Sequence, residues 1–546
     1  MALTELPLGV GQLSRRFKIN IVAAAGCTFL IYLIVATHTF SGLPQSETAF
    51  GGLPSTPKDG YGSQTKSNAP RTNLHVLLPA TQGNADLCKT LLTAKILDYP
   101  RPGLLAWDET YNVPEQMAGG SHLAKIFRVL EYLETLLPSQ DDDLTLMIDA
   151  YDIWFQLRVD VLIDRFHSMN TAANERLAQR LGRSLLESEH IEQNIIFGAG
   201  KRCAPNQLHT VACYTVPPSP LPDDLYGGNT DTVIGRNKYT SHRQRYLNSG
   251  YVLGRVKHVR VLFRNAAEEV KNTPNHLPEL DNGSGGSDFL YHGSDQSIFN
   301  TLFGRQEYQR EYLRQQSQNQ QAAAARSECD QETNSTACEE LDGRNQNPYL
   351  TLEGTRYSDP LNPPFTHEIM GSMSDPSRGN WELGIGLDYF SELGHQTANA
   401  ETDGKWLRLA ESPLNVDFPG KNRFDCPPRV EKQSALADIA GADAPFPEDP
   451  DKQNSEWENV PLYTNLCTGK VPVMVHHNGD KAARGSRWHD MWFQADARSM
   501  LERKLGHENA AKSAANSSLD VIAWTDKGSE LTWNGLCSAY SEEIFL

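Results

Sequence analysis

The residues with the clearest chemical potential lie in four short segments. Asp149-Ala150-Tyr151-Asp152 follows an apolar run, Leu144 to Ile148. Two carboxylates three residues apart, where a strand stops, can converge on one divalent cation, and hard oxygen ligands suit Mg²⁺ or Mn²⁺. Such a cation would neutralise a diphosphate leaving group, and Tyr151 would offer its ring to a base. The plainer account of the acidic pair is a solvated turn or a helix cap. Tyr246 to Gly254 reads as a strand interrupted by Asn248-Ser249-Gly250. Glycine there permits a tight turn or the close approach of a ligand, with a β-bulge or hairpin as the alternative. Ser294-Asp295-Gln296 opens a helix predicted over 297–303, so Asp295 is an N-cap candidate as much as an acceptor- or sugar-binding group. Val473 to Val475 delivers His476 and His477 ahead of an Asn478-Gly479 turn. Imidazole is a common metal ligand, and a structural His pair is the rival account. Lys481 and Arg484 follow, as phosphate contacts or as solvated surface. Trp154 and Phe155 read as core.

The elements that must position these segments alternate in type. Leu74 to Ala80 reads as a buried strand, 85–97 as a helix and 103–107 as a second strand. After Gly119-Gly120, the apolar residues Leu123, Ile126, Phe127, Leu130, Leu133 and Leu137 follow a helical period. Strands alternating with helices predict a parallel α/β sheet, whose ligands lie beyond the carboxyl ends of the strands. Asp149 and Asp152 fall at such an end. The Gln- and Ala-rich stretch within 312–380 and the Pro-rich, acidic stretch 432–458 read as inserted surface loops.

The chain has 546 residues, with 50 Lys and Arg against 68 Asp and Glu, a formal net charge of −18. That balance argues against a broad nucleic-acid surface, which needs clustered basic side chains. Hydrophobic residues make up 39%, enough with the 41 glycines for an ordinary globular core.

Arg15, Arg16 and Lys18 precede an apolar run from Ile19 to Ala36. At 1.5 Å per residue the run spans about 27 Å, close to the ~30 Å of a bilayer core. It is longer than the core of a cleaved signal peptide, and no A-x-A pattern follows it. The basic flank predicts a type II anchor: residues 1–18 cytosolic, a transmembrane helix within 19–40, a stem over 41–72, and a lumenal domain over 73–546. The expected location is therefore the Golgi or endoplasmic reticulum membrane. Apart from Cys27, the cysteines number eight, an even count that suits disulfides, with Cys203/Cys213 and Cys329/Cys338 as local candidates. Asn282, Asn334 and Asn516 open glycosylation sequons.

Taken in order, the four segments resemble the glycosyltransferase domain of the procollagen lysyl hydroxylase/glycosyltransferase family, over about residues 73–304 and 380–500. The resemblance implies a GT-A-type, Rossmann-like fold, a UDP-sugar donor, Mn²⁺, a protein or glycan acceptor, and hexose transfer with retention. It makes Asp149, Asp152 and His476 the metal ligands. Tyr151 would contact the uracil, Asn248 would line the donor or acceptor pocket, and Asp295 would be the acid near the transferred sugar. Lys481 lies one position before the family's basic residue that meets phosphate. Asp388, in Leu387-Asp388-Tyr389, matches a family position and reads as structural. The chain departs from the family pattern at His477, where the family has Gly, at Ser294, where it has an acid, and at Ala204 within Cys203-Ala204-Pro205, where it has Trp. The segment after residue 500 is too short for a second, iron-dependent oxygenase domain. A non-catalytic lumenal protein that binds nucleotide-sugar or glycan on the same fold is the alternative.

Overall fold

The computed structural model describes residues 73–113, 116–206, 210–226, 239–272, 294–329, 381–411, 426, 429–439, 441–512 and 520–545. The anchor and stem, the three sequons and Cys338 lie outside these residues. Among the described residues, no helix is long and apolar enough to cross a membrane.

The strands in chain order are β1 (Leu74–Pro79), β2 (Gly103–Leu105), β3 (Leu144–Ile148), β4 (Ile153–Phe155), β5 (Ile195–Gly200), β6 (Tyr246–Arg255), β7 (Ile385–Asp388), β8 (Gly394–Gln396), β9 (Gly404–Leu407), β10 (Leu462–Asn465), β11 (Met474–His476), β12 (Val521–Thr525) and β13 (Glu530–Thr532). Eight of them form one sheet in the order β13-β12-β2-β1-β3-β6-β5-β7. Within it β12, β2, β1 and β3 pair in parallel, as do β5 and β7. β6 runs against both of its neighbours, and β13 runs against β12. The expected parallel α/β sheet is therefore a mixed one. β1 and β3 are nearly all apolar, broken only by the buried His75 and Thr145, because both of their faces are covered.

Alternation along the strands sends side chains to two cores. Val76, Leu78, Leu146 and Ile148 face one, with helix α1 (Ala85–Ile96). Leu77 and Met147 face the other, with α2 (Ser121–Thr135), α4 (Val256–Asn272) and the first turns of α5 (Asp295–Cys329). Helix α3 (Val159–Leu181) follows β4 and contributes Val161, Leu162 and Phe166 to the first core. α1 starts at Asn84, whose side chain accepts from Leu87 N at 2.8 Å. The buried stripe of α2 is Lys125, Ile126, Val129, Tyr132 and Leu133. The expected Ile126 and Leu133 are among them, and Leu123, Phe127 and Leu130 pack partly buried against the same core, while Leu137 is exposed beyond the helix end.

Two expected insertions are built differently. α5 continues through Tyr312 to Cys329, so the first part of 312–380 is helix, and the rest lies outside the described residues. The stretch 432–458 supplies Ala435, Ile439, Phe446 and Trp457 to the first core rather than forming surface loop alone. Disulfides join Cys88 to Cys537, Cys203 to Cys213 and Cys426 to Cys467. The second is the expected local pair.

Candidate metal centre

β3 ends at Ile148 and hands Asp149 to the carboxyl edge of the sheet. Asp149 N donates to Gly250 O at 2.7 Å, so the acidic turn is pinned to the antiparallel neighbour β6. A small second sheet, β4-β11-β8, brings in the distant histidine: His476 pairs with Ile153, and His477 N donates to Asp152 O at 2.7 Å. His476 Nε2 thereby lies 3.3 Å from Asp152 Oδ1 and 3.7 Å from Asp149 Oδ2. One ligand atom from each of the three residues falls within 4.8 Å of the other two.

This donor set fits a divalent cation. Metal–ligand bonds of about 2.0–2.2 Å in octahedral geometry separate neighbouring ligands by roughly 3 Å. The two His476 edges, 3.3 and 3.7 Å, are longer than this, so the side chains would draw together around an ion. Asp152 Oδ1 and His476 Nδ1 are buried and make no hydrogen bond. The Asp152 oxygen faces His476 Nε2 at 3.3 Å, an approach that a cation between them or a proton on the imidazole would stabilise.

Gly250 makes the arrangement possible. β6 carries a bulge: Phe197 pairs with Val252 while Gly198 pairs with Asn248. A Cβ on Gly250 would sit 2.1 Å from His476 Cε1 and 2.5 Å from its Nδ1. Gly250→Ala should therefore displace the imidazole, costing about 1–3 kcal/mol of stability through overpacking. Mn²⁺ binding, read by loss of the free-ion EPR signal, should weaken with it. Wild-type Mn²⁺ affinity in a folded Gly250→Ala protein would show that His476 is not a ligand.

Asn248, placed in a donor or acceptor pocket by the resemblance, has its amide engaged internally. Its Oδ1 accepts from Gly250 N at 2.9 Å, and its Nδ2 donates to Gln296 Oε1 at 2.8 Å. It shapes the bulge and ties it to the start of α5. The Tyr151 hydroxyl is likewise engaged, accepting from Thr81 N at 3.1 Å and donating to Gln82 O at 3.1 Å in the loop after β1.

Asp295 is not the cap of its helix. Ser294 Oγ accepts from Ser297 N at 3.3 Å, which is the capping bond, and α5 begins at Asp295 rather than at 297. Freed from that duty, the buried Asp295 carboxylate faces Lys125 Nζ at 2.9 Å and His122 Nδ1 at 3.4 Å. Burial alone would raise this carboxyl. Lys125 and His122 outweigh it and hold the group well below the usual carboxylate range.

Lys125 is the residue the sequence reading missed. Its Nζ reaches Asp149 Oδ1 at 2.7 Å and Ser249 O at 3.2 Å as well as Asp295, joining the metal cluster to the acid on α5. Burial would lower its pKa, but Asp149 and Asp295 together raise it, so it stays charged. The available sign was a lysine in register with Ile126, Val129 and Tyr132 on a helix face that is otherwise apolar. Among the two basic residues after the histidines, Arg484 reaches the cluster: it donates to Asp152 Oδ2 at 3.0 Å and to His477 O at 3.0 Å. Lys481 is exposed.

The remaining expected positions are structural. His477 is fully buried against Trp154, ring centroids 4.0 Å apart, and burial drives its imidazole far below the ordinary range, leaving it neutral. Asp388 accepts from Tyr251 OH and from the backbone of Glu392, Leu393 and Gly394, which fixes the turn after β7. Trp154 and Phe155 are core. Asp403 also gathers with Cys426 and Cys467, but those sulfurs form a disulfide, and Asp403 is matched by Lys201 and the Tyr226 hydroxyl, each at 2.6 Å. Neither the models of known protein families nor the curated proteins compared with this chain give a match.

Proposed function

We propose that this chain is a metal-dependent glycosyltransferase on a GT-A-type fold, moving a hexose from a UDP-sugar to a protein or glycan acceptor. In this reading it is a type II protein of the Golgi or endoplasmic reticulum membrane. The observation that carries the reading is the convergence of Asp149, Asp152 and His476 at the carboxyl edge of β3, joined through Lys125 to a buried Asp295. Mn²⁺ suits two carboxylates and one imidazole, and when bound it would supply positive charge against the departing diphosphate.

The chain's own groups have separable tasks. Lys125 holds one oxygen of Asp149 and leaves Oδ2 toward His476; Arg484 does the same for Asp152 and leaves Oδ1. Asp295 presents an ionised carboxylate, able to orient an acceptor hydroxyl or to stabilise positive charge developing at the anomeric carbon. Arg484, rather than Lys481, is the base positioned to meet a phosphate next to the cluster.

The test is release of UDP from a panel of UDP-hexoses by the purified full-length protein. We expect release that depends on Mn²⁺ and stops with EDTA. UDP binding without release from any donor, with or without acceptor, would favour a nucleotide-sugar-binding protein instead. Absence of Mn²⁺-dependent UDP binding would overturn both.

A further inference from the structure

Asp295 stands behind another side chain that can carry a proton. Gly119 and Gly120 hold left-handed backbone, φ +67° and +96°, so the chain turns sharply into α2, and a side chain on either would strain that turn. The helix then presents His122 and Lys125, three residues apart on one face, to the first turn of α5. Each meets a different oxygen of the same carboxylate. Lys125 Nζ lies 2.9 Å from Asp295 Oδ2, and His122 Nδ1 lies 3.4 Å from Oδ1. Their exposure differs: the side chains of Asp295 and Lys125 are 5% and 8% exposed, and that of His122 is 44% exposed. Of the three, the carboxylate and the ammonium are sealed in, and the imidazole is the one that reaches solvent.

The pairing fixes what that imidazole can do. An ionised carboxylate only accepts, so the nitrogen facing it, Nδ1, carries the hydrogen of the neutral ring. Nε2 is left with its lone pair, and it has no partner among the described residues. A buried carboxylate behind an exposed imidazole is the arrangement of an oriented base. We propose, on the transferase reading above, that His122 is the base that takes the acceptor's proton and that Asp295 is a positioning residue acting through it. The acceptor hydroxyl gives its proton to Nε2 as its oxygen bonds to the anomeric carbon. The anomeric C–O bond to the diphosphate breaks, and its electron pair leaves with UDP. The imidazolium then returns its proton to solvent. Of the two tasks open to Asp295, this selects the one toward the acceptor.

Azide separates a base from a structural group, because this nucleophile carries no proton to remove. The full-length protein is given Mn²⁺ and the panel of UDP-hexoses, UDP-glucose and UDP-galactose among them, in water alone and with sodium azide. UDP and glycosyl azide are measured. His122→Ala and His122→Asn should each release UDP in water about 100-fold more slowly than wild type, the loss expected of a general base. Asn keeps an N–H for Asp295 and offers no base, so it should fare no better than Ala. Azide should bring both variants to within ~10-fold of wild type, with glycosyl azide as the product. Mn²⁺-dependent UDP binding and Tm should stay at wild-type values throughout, since His122 is exposed and touches no metal ligand. Wild-type release by either variant in water, a loss that azide does not restore, or wild-type release that itself needs azide would overturn the role of His122 and leave the transferase reading standing. Wild-type protein that releases no UDP from any donor, with or without azide, would overturn both.

Discussion

Asp152→Asn should reduce Mn²⁺ affinity at least ~100-fold and abolish metal-dependent UDP binding while leaving the fold in place. Loss even of outer partners of a metal ligand costs roughly 10–100-fold, and a direct ligand more. The substitution keeps the side-chain shape and removes one negative charge. Burial would raise the Asp152 carboxyl, but His476, followed by Arg484, outweighs it and keeps the group ionised, so the charge is present to be lost. Arg484 would retain the His477 carbonyl at 3.0 Å and Asp86 at 3.5 Å, which limits the structural cost. The measurement is Mn²⁺ EPR with calorimetric UDP titration, with circular dichroism to report folding. Unchanged affinity and unchanged metal dependence of UDP binding would remove Asp152 from the ligand set. With it would go the observation on which the transferase reading rests.

How much of this was visible in the sequence depends on how local the determining physics is. β3 could be read to the residue because Leu144 to Ile148 is an apolar run, broken only by Thr145, that is covered on both faces. Asp149 and Asp152 follow directly from where that run stops. His476 could be named as a candidate, but its approach to the aspartates depends on pairing between β4 and β11, which lie more than 300 residues apart. The direction of β6 was not legible, since a buried strand has the same apolar content whichever way it runs. The role of Gly250 was likewise hidden: its missing Cβ matters only because a histidine ring from elsewhere fills the space. Lys125 escaped for a related reason. A lysine on a helix face is ordinarily solvated, and only the facing pair Asp149 and Asp295 makes its burial affordable. Of the two roles left open for Asp295, the capping one falls one residue earlier, to Ser294, because Ser and Asp cap about equally well and sequence does not decide between adjacent candidates.

That one-residue difference gives the sharpest separation of structural from chemical roles. Asp295→Asn should lower turnover roughly 100-fold or more, through loss of a preorganised carboxylate, while Mn²⁺ and UDP binding persist. Helix initiation should not suffer, because Ser294 makes the capping bond. Some stability will be lost, since Lys125 forfeits one of two counter-charges. The cost should stay below the about 3–5 kcal/mol of a fully broken buried pair, as Asp149 remains at 2.7 Å. Ser294→Ala is the converse experiment: it should cost about 1 kcal/mol of stability with turnover nearly intact. Measuring both variants by thermal unfolding and by UDP release places each residue on one axis or the other. If Asp295→Asn keeps full turnover, the carboxylate serves only to neutralise Lys125, and the acid beside the transferred sugar must be sought elsewhere. If turnover falls while UDP affinity holds, the proposed role of the α5 carboxylate at the sugar or its acceptor is supported, because the proposed nucleotide and metal ligands have not changed.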